Sequence, residues 1–82
     1  MTLYYFDVRD NDGLIRDEEG MELLTLAGVE NEAARSLADM ARDAVLETKD
    51  PASYKIAIEV RDDRGLVVRV RLAFEVERLR TR

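Results

Sequence analysis

Histidine and cysteine are both absent from the 82 residues. The chain therefore lacks the usual imidazole base, the thiol nucleophile and the commonest transition-metal ligands. Ser36 and Ser53 have no base partner at any recognisable spacing. Carboxylates and guanidiniums are what remain for chemistry. The stretch from Val8 to Glu19 (VRDNDGLIRDEE) approaches a calcium loop, with Asp10, Asp12, Gly13 and Glu19 at ligand-like spacing. Its first ligand position, however, is Val8, which the surrounding strand pattern places in the core, and no helix precedes it. Asp17, Glu18 and Glu19 could form an acid/base pair or hold magnesium, but acid/base work needs environments that push two pKa values apart. Three neighbouring acids in a loop read instead as a solvated acidic surface. Arg69 and Arg71 could touch phosphate, yet Asp7 and Glu59 fall on the same sheet face, so a cross-strand charge ladder is expected. No catalytic residue, metal ligand or cofactor is expected, and the chain reads as non-enzymatic.

The elements that must carry these groups are organised around one helix, predicted from Thr25 to Lys49. Leu26, Val29, Ala33, Leu37, Met40, Ala41, Ala44 and Val45 recur at three and four residues along one stripe, widened by Ala34 and Ala38. Thr25 is placed to cap the first turn, and Leu24 and Val29 have the spacing of a hydrophobic staple. Gly28 is a local defect, and Asp50-Pro51 stops the helix. Leu3–Arg9 reads as a first strand, with Tyr4, Phe6 and Val8 on one face and Tyr5 and Asp7 on the other. Asp10-Asn11-Asp12-Gly13 turns it into a short second strand at 14–16. A third strand follows the helix, with Tyr54, Ile56, Ile58 and Val60 alternating with polar positions. Asp62-Asp63-Arg64-Gly65 then leads into a fourth, with Leu66, Val68, Val70, Leu72, Phe74 and Val76 on the apolar face.

The expected fold is α+β, in the order β-β-α-β-β, with one helix covering a four-stranded, mostly antiparallel sheet. The fourth strand is the longest and most apolar. Placing it centrally gives the spatial order 2-1-4-3, a β-grasp arrangement, with 2-1-3-4 as the alternative. In the first order the third strand is an edge. A twofold axis through Ala57 would then set Lys55 opposite Glu59 of a second copy, making Lys55, Ala57 and Glu59 a candidate interaction edge. Lys55 and Arg61 read, in preference to this, as charges that keep such an edge single.

Eighty-two residues suffice for one domain, expected over 1–76, with 77–82 a frayed tail. The chain carries 13 basic and 18 acidic residues, a net charge of −5, and the acids gather in its first half. That balance disfavours nucleic acid. No run is long enough to span a membrane, and a chain without cysteine fits the cytoplasm.

Tyr4-Tyr5-Phe6-Asp7-Val8-Arg9-Asp10, then Asp17-Glu18-Glu19-Gly20-Met21-Glu22-Leu23, an alanine-rich helix, and Ile58-Glu59-Val60-Arg61-Asp62-Asp63-Arg64-Gly65 follow in order. This succession resembles a family of small bacterial proteins of unknown function. Members of that family often carry His where Asp7 stands and Trp where Tyr54 stands. The resemblance implies the fold and no activity. A looser similarity, through the paired tyrosines, the Asp-Gly turn and the alanine-rich helix, is to HicB-type antitoxins. Two functions are therefore expected: a non-catalytic protein-interaction module, self-associating or not, or an antitoxin-like regulator whose acidic half meets a basic protein.

Overall fold

The computed structural model describes residues 1–47 and 53–80. Among them are five strands and one helix: β1 (Thr2–Asp10), β2 (Gly13–Ile15), β3 (Met21–Leu23), α1 (Leu26–Glu47), β4 (Ser53–Asp62) and β5 (Gly65–Glu75). The fold is α+β, a single helix against one antiparallel sheet.

Both hairpins turn by the same local device. Asp12 N–H donates to Asp10 Oδ1 at 2.8 Å, and Arg64 N–H donates to Asp62 Oδ1 at 2.8 Å. Each turn ends on a glycine at positive φ, Gly13 at 137° and Gly65 at 123°, where a side chain would be strained. α1 begins as its sequence predicts. Gly28 N–H donates to Thr25 Oγ1 at 3.0 Å, and Val29 N–H donates to Thr25 O at 3.2 Å. Gly28 also acquires a reason, since a Cβ there would lie 3.3 Å from the capping hydroxyl. The Leu24–Val29 staple does not form, because Leu24 is 77% exposed while Val29 is fully buried. The proposed stop at Asp50-Pro51 lies outside the described residues.

The strand order is β2-β1-β4-β5, every pairing being antiparallel, with the short β3 also bonded to β1. This is the alternative order 2-1-3-4, with one strand more than expected. The β-grasp order 2-1-4-3 is thereby corrected, since the strand at 53–62 lies inside the sheet and the one at 65–75 forms its edge. The length and apolarity of β5 mislead here, because its other face carries Arg69 and Arg71, whose heads reach solvent most easily from an edge. β4 instead has Ala57 and Glu59 at its middle on that face, a small residue and a carboxylate that neighbouring arginines can neutralise, with Lys55 and Arg61 towards its ends. Hence Lys55, Ala57 and Glu59 do not form a free pairing edge. Ala57 and Glu59 are opposite Arg9 and Asp7 of β1 on one side, and opposite Arg71 and Arg69 of β5 on the other.

The core lies between α1 and the centre of the sheet. Val29, Ala33, Leu37 and Ala41 meet Ile56, Ile58 and Val60, with Phe6, Val8, Val68, Val70 and Leu72 packed around them. The helix lies chiefly over β4 and β5. Its buried stripe is therefore narrower than expected: Ala34 and Ala38 are exposed, and Leu26 is 49% exposed. A bulge at Val60/Arg61 makes one further correction. It sets Leu66 opposite Arg61 rather than among the core residues of β5, and Leu66 is exposed. β5 ends at Glu75, and residues 76–80 are exposed without regular structure.

Candidate functional site

The open face of the sheet carries two charged clusters. In the first, Glu59 is buried at the centre of β4 and is gripped from both neighbouring strands. Arg9 of β1 donates to it through Nε at 3.0 Å and Nη2 at 3.3 Å, and Arg69 of β5 donates through Nε at 3.0 Å. The Arg9 hydrogen bonds, set against the burial that would raise it, and joined by those of Arg69, hold the Glu59 carboxyl below its ordinary value. The expected cross-strand ladder is thus present at Arg69 and recruits Arg9 as well.

In the second cluster, Asp7 is buried and both its oxygens are engaged. Arg61 Nε donates to Oδ2 at 2.9 Å, and Asp17 N–H donates to Oδ1 at 2.9 Å. Arg61 also reaches Asp17 O at 3.0 Å, and its guanidinium lies 4.5 Å from the centre of the Tyr5 ring. Asp17 stands where the return strand is interrupted between β2 and β3. Its carboxylate accepts from Phe6 N–H at 3.1 Å, Glu19 N–H at 3.0 Å and Gly20 N–H at 3.3 Å. Burial pushes the Asp17 carboxyl up. The three N–H groups and the Arg61 charge outweigh that and set it below its ordinary value.

These geometries assign the acids structural work. Asp17 fills a gap in the backbone ladder, so of the expected acidic surface only Glu18 and Glu19 remain exposed. The calcium-like spacing is also dispersed. Val8 packs against the core, Asp10 is occupied with its turn, and Asp17 faces the backbone. Among the described residues, no three acids come together in a metal-holding cluster. Glu59, with its carboxyl lowered and two guanidiniums on it, has no proton to donate near neutral pH.

Two neighbouring surfaces among the described residues are open. β5 pairs with β4 on one side only, which leaves the outward backbone groups of alternate residues along this eleven-residue strand unpaired at the sheet edge. Beside that edge runs an apolar groove between the second half of α1 and β5, lined by Ala38, Ala41, Arg42, Val45, Leu46, Leu72 and Phe74. Leu46, on its rim, is 78% exposed. The periodicity of the helix concealed this groove, because a stripe of alanines reads the same whether it is buried or bordering an opening.

Residues 3–73 match the family described as a domain of unknown function, DUF6894. The chain belongs to this family. No curated protein and no solved structure matches the chain. DUF6894 is a domain of unknown function, so membership leaves function to be argued from the surfaces. No helix among the described residues is long and apolar enough to cross a membrane.

Proposed function

We propose that this DUF6894 chain is a non-catalytic protein-interaction module that docks through the β5 edge and the groove beside it. The observation that carries this reading is their adjacency. The free side of β5 supplies backbone hydrogen bonds, and Leu72 and Phe74 on that same strand floor an apolar groove flanked by α1. Main-chain pairing with flanking apolar contact is how extended segments and further strands add to a sheet. The absence of His and Cys, and the engagement of Glu59, Asp7 and Asp17 by arginines and backbone, support a non-enzymatic role. The net charge of −5 disfavours nucleic acid as the partner, and a chain without cysteine fits the reducing cytoplasm.

The test is affinity capture from the native cell with the wild type and with Leu46→Glu, a change at an exposed position. Partners retained by the wild type and lost from Leu46→Glu support the reading. Equal recovery by both overturns it.

A further inference from the structure

We infer that β5 pairs with β5 of a second copy of this chain, antiparallel about a twofold axis through Ala73. The inference rests on the docking reading above and names its partner.

Charge separates the registers centred on residues 70 to 73 of the strand. A twofold axis through Val70 would oppose Arg69 to Arg71 of the partner subunit, and one through Arg71 would oppose two guanidiniums directly. Like charges in directly opposed positions are unfavourable. An axis through Leu72 would bring the partner's Glu75 to Arg69, which Glu59 already holds, and would leave Arg71 opposite alanine. The axis through Ala73 sets Arg71 opposite the partner's Glu75, and Glu75 opposite the partner's Arg71. Both side chains are exposed, and neither makes an ion pair with another of the described residues.

The helix side of the sheet agrees with this register. Leu72 falls opposite the partner's Phe74, and Phe74 opposite the partner's Leu72, so each groove floor continues into the other. Beyond these pairs, Val70 faces the partner's Val76, which lies just past the end of β5 and is 53% exposed in the single chain. The axis residue is alanine, which lets the two backbones approach without crowding. The arginines that would otherwise guard this edge are matched, Arg69 within its own chain and Arg71 across the axis.

The chain has no cysteine, so single substitutions report the register cleanly. Directly opposed residues bring their Cβ atoms within about 4.5–5.5 Å, close to disulfide reach. Under mild oxidation Ala73→Cys is expected to form a covalent dimer faster than Arg71→Cys or Leu72→Cys, since only position 73 faces its own copy. Faster linking at 71 or 72 overturns the register.

Sedimentation equilibrium at high micromolar concentration is expected to give twice the 9.4 kDa chain mass. Arg71→Glu should weaken association about tenfold, as two symmetric pairs turn repulsive, and adding Glu75→Arg should restore it. A wild-type mass of 9.4 kDa overturns the self-pairing, as does a dimer indifferent to both swaps. A monomer that still captures a partner through Leu46 leaves the module reading standing. Capture indifferent to Leu46 removes that reading instead.

Discussion

Asp7 and Glu59 are directly opposed across β1 and β4, both buried and both acidic. Left alone, two such carboxylates would repel each other. Here Glu59 belongs to Arg9 and Arg69 and Asp7 to Arg61, so each is neutralised locally. Glu59→Gln removes the charge from a buried acceptor and leaves two arginines facing it. The expected cost is about 1–3 kcal/mol, read as a lower thermal midpoint at pH 7. The same groups make stability depend on pH. Glu59 and Asp17 have folded pKa values below their ordinary ones, so in the acid range the unfolded chain binds more protons. Their contribution is complete above the ordinary carboxyl values of 4.5 and 3.8, and is lost as pH falls through the lowered values. Thermal melts should hold level from pH 7 to about 5 and then decline, more shallowly in Glu59→Gln. A decline equal in both proteins would remove Glu59 from the explanation. Gly20 is the other sensitive residue, at φ +76°, where an added Cβ would meet Leu3 Cδ1 at 2.9 Å and Tyr4 O at 3.1 Å. Gly20→Ala should cost at least about 1–2 kcal/mol from backbone conformation alone, before the clash is relieved.

At the scale of elements, α1 is held by four buried positions rather than by its full apolar stripe. Leu37 is the largest of them and is only 2% exposed. Leu37→Asp should lower the thermal midpoint by more than about ten degrees, because an unpaired charge and the lost burial together exceed about 3 kcal/mol of a total near 5–15. Circular dichroism checks this, and an unchanged thermal midpoint would mean that the helix packs by another face. The return strand is an element the sequence showed only in part. The short strand expected at 14–16 is β2, but Met21–Leu23 continues along β1 as β3 after the acidic loop. Asp17 permits the interruption by accepting the Phe6 N–H within the gap. The spacing Asp17-x-x-Gly20 was the available signal, an acid able to bond backbone N–H groups two and three residues on.

At the scale of the molecule, the radius of gyration is 14.9 Å, against about 12 Å for a compact chain of 82 residues. One helix cannot cover every strand of this sheet, so β1 keeps its apolar side chains half-buried and β5 keeps an open edge. The acids are spread through the fold rather than gathered. Millimolar calcium should therefore leave the thermal midpoint unchanged, and a rise of several degrees would reveal a site that binds the native state.

Periodicity and turn chemistry determined the helix, its Thr25 cap, both hairpins and the α+β class, because each depends on residues within a few positions of one another. Tertiary structure alone decided which strand of the second hairpin joins β1. Both candidates are apolar on one face, and the choice depends on where charges 50 residues apart in sequence meet, as Arg9 meets Glu59. It also decided the bulge at Val60/Arg61 that turns Leu66 outward. The open groove beside β5 has the same origin: a helix pattern specifies which side chains seek burial, and the position of the helix over the sheet determines which of them obtain it.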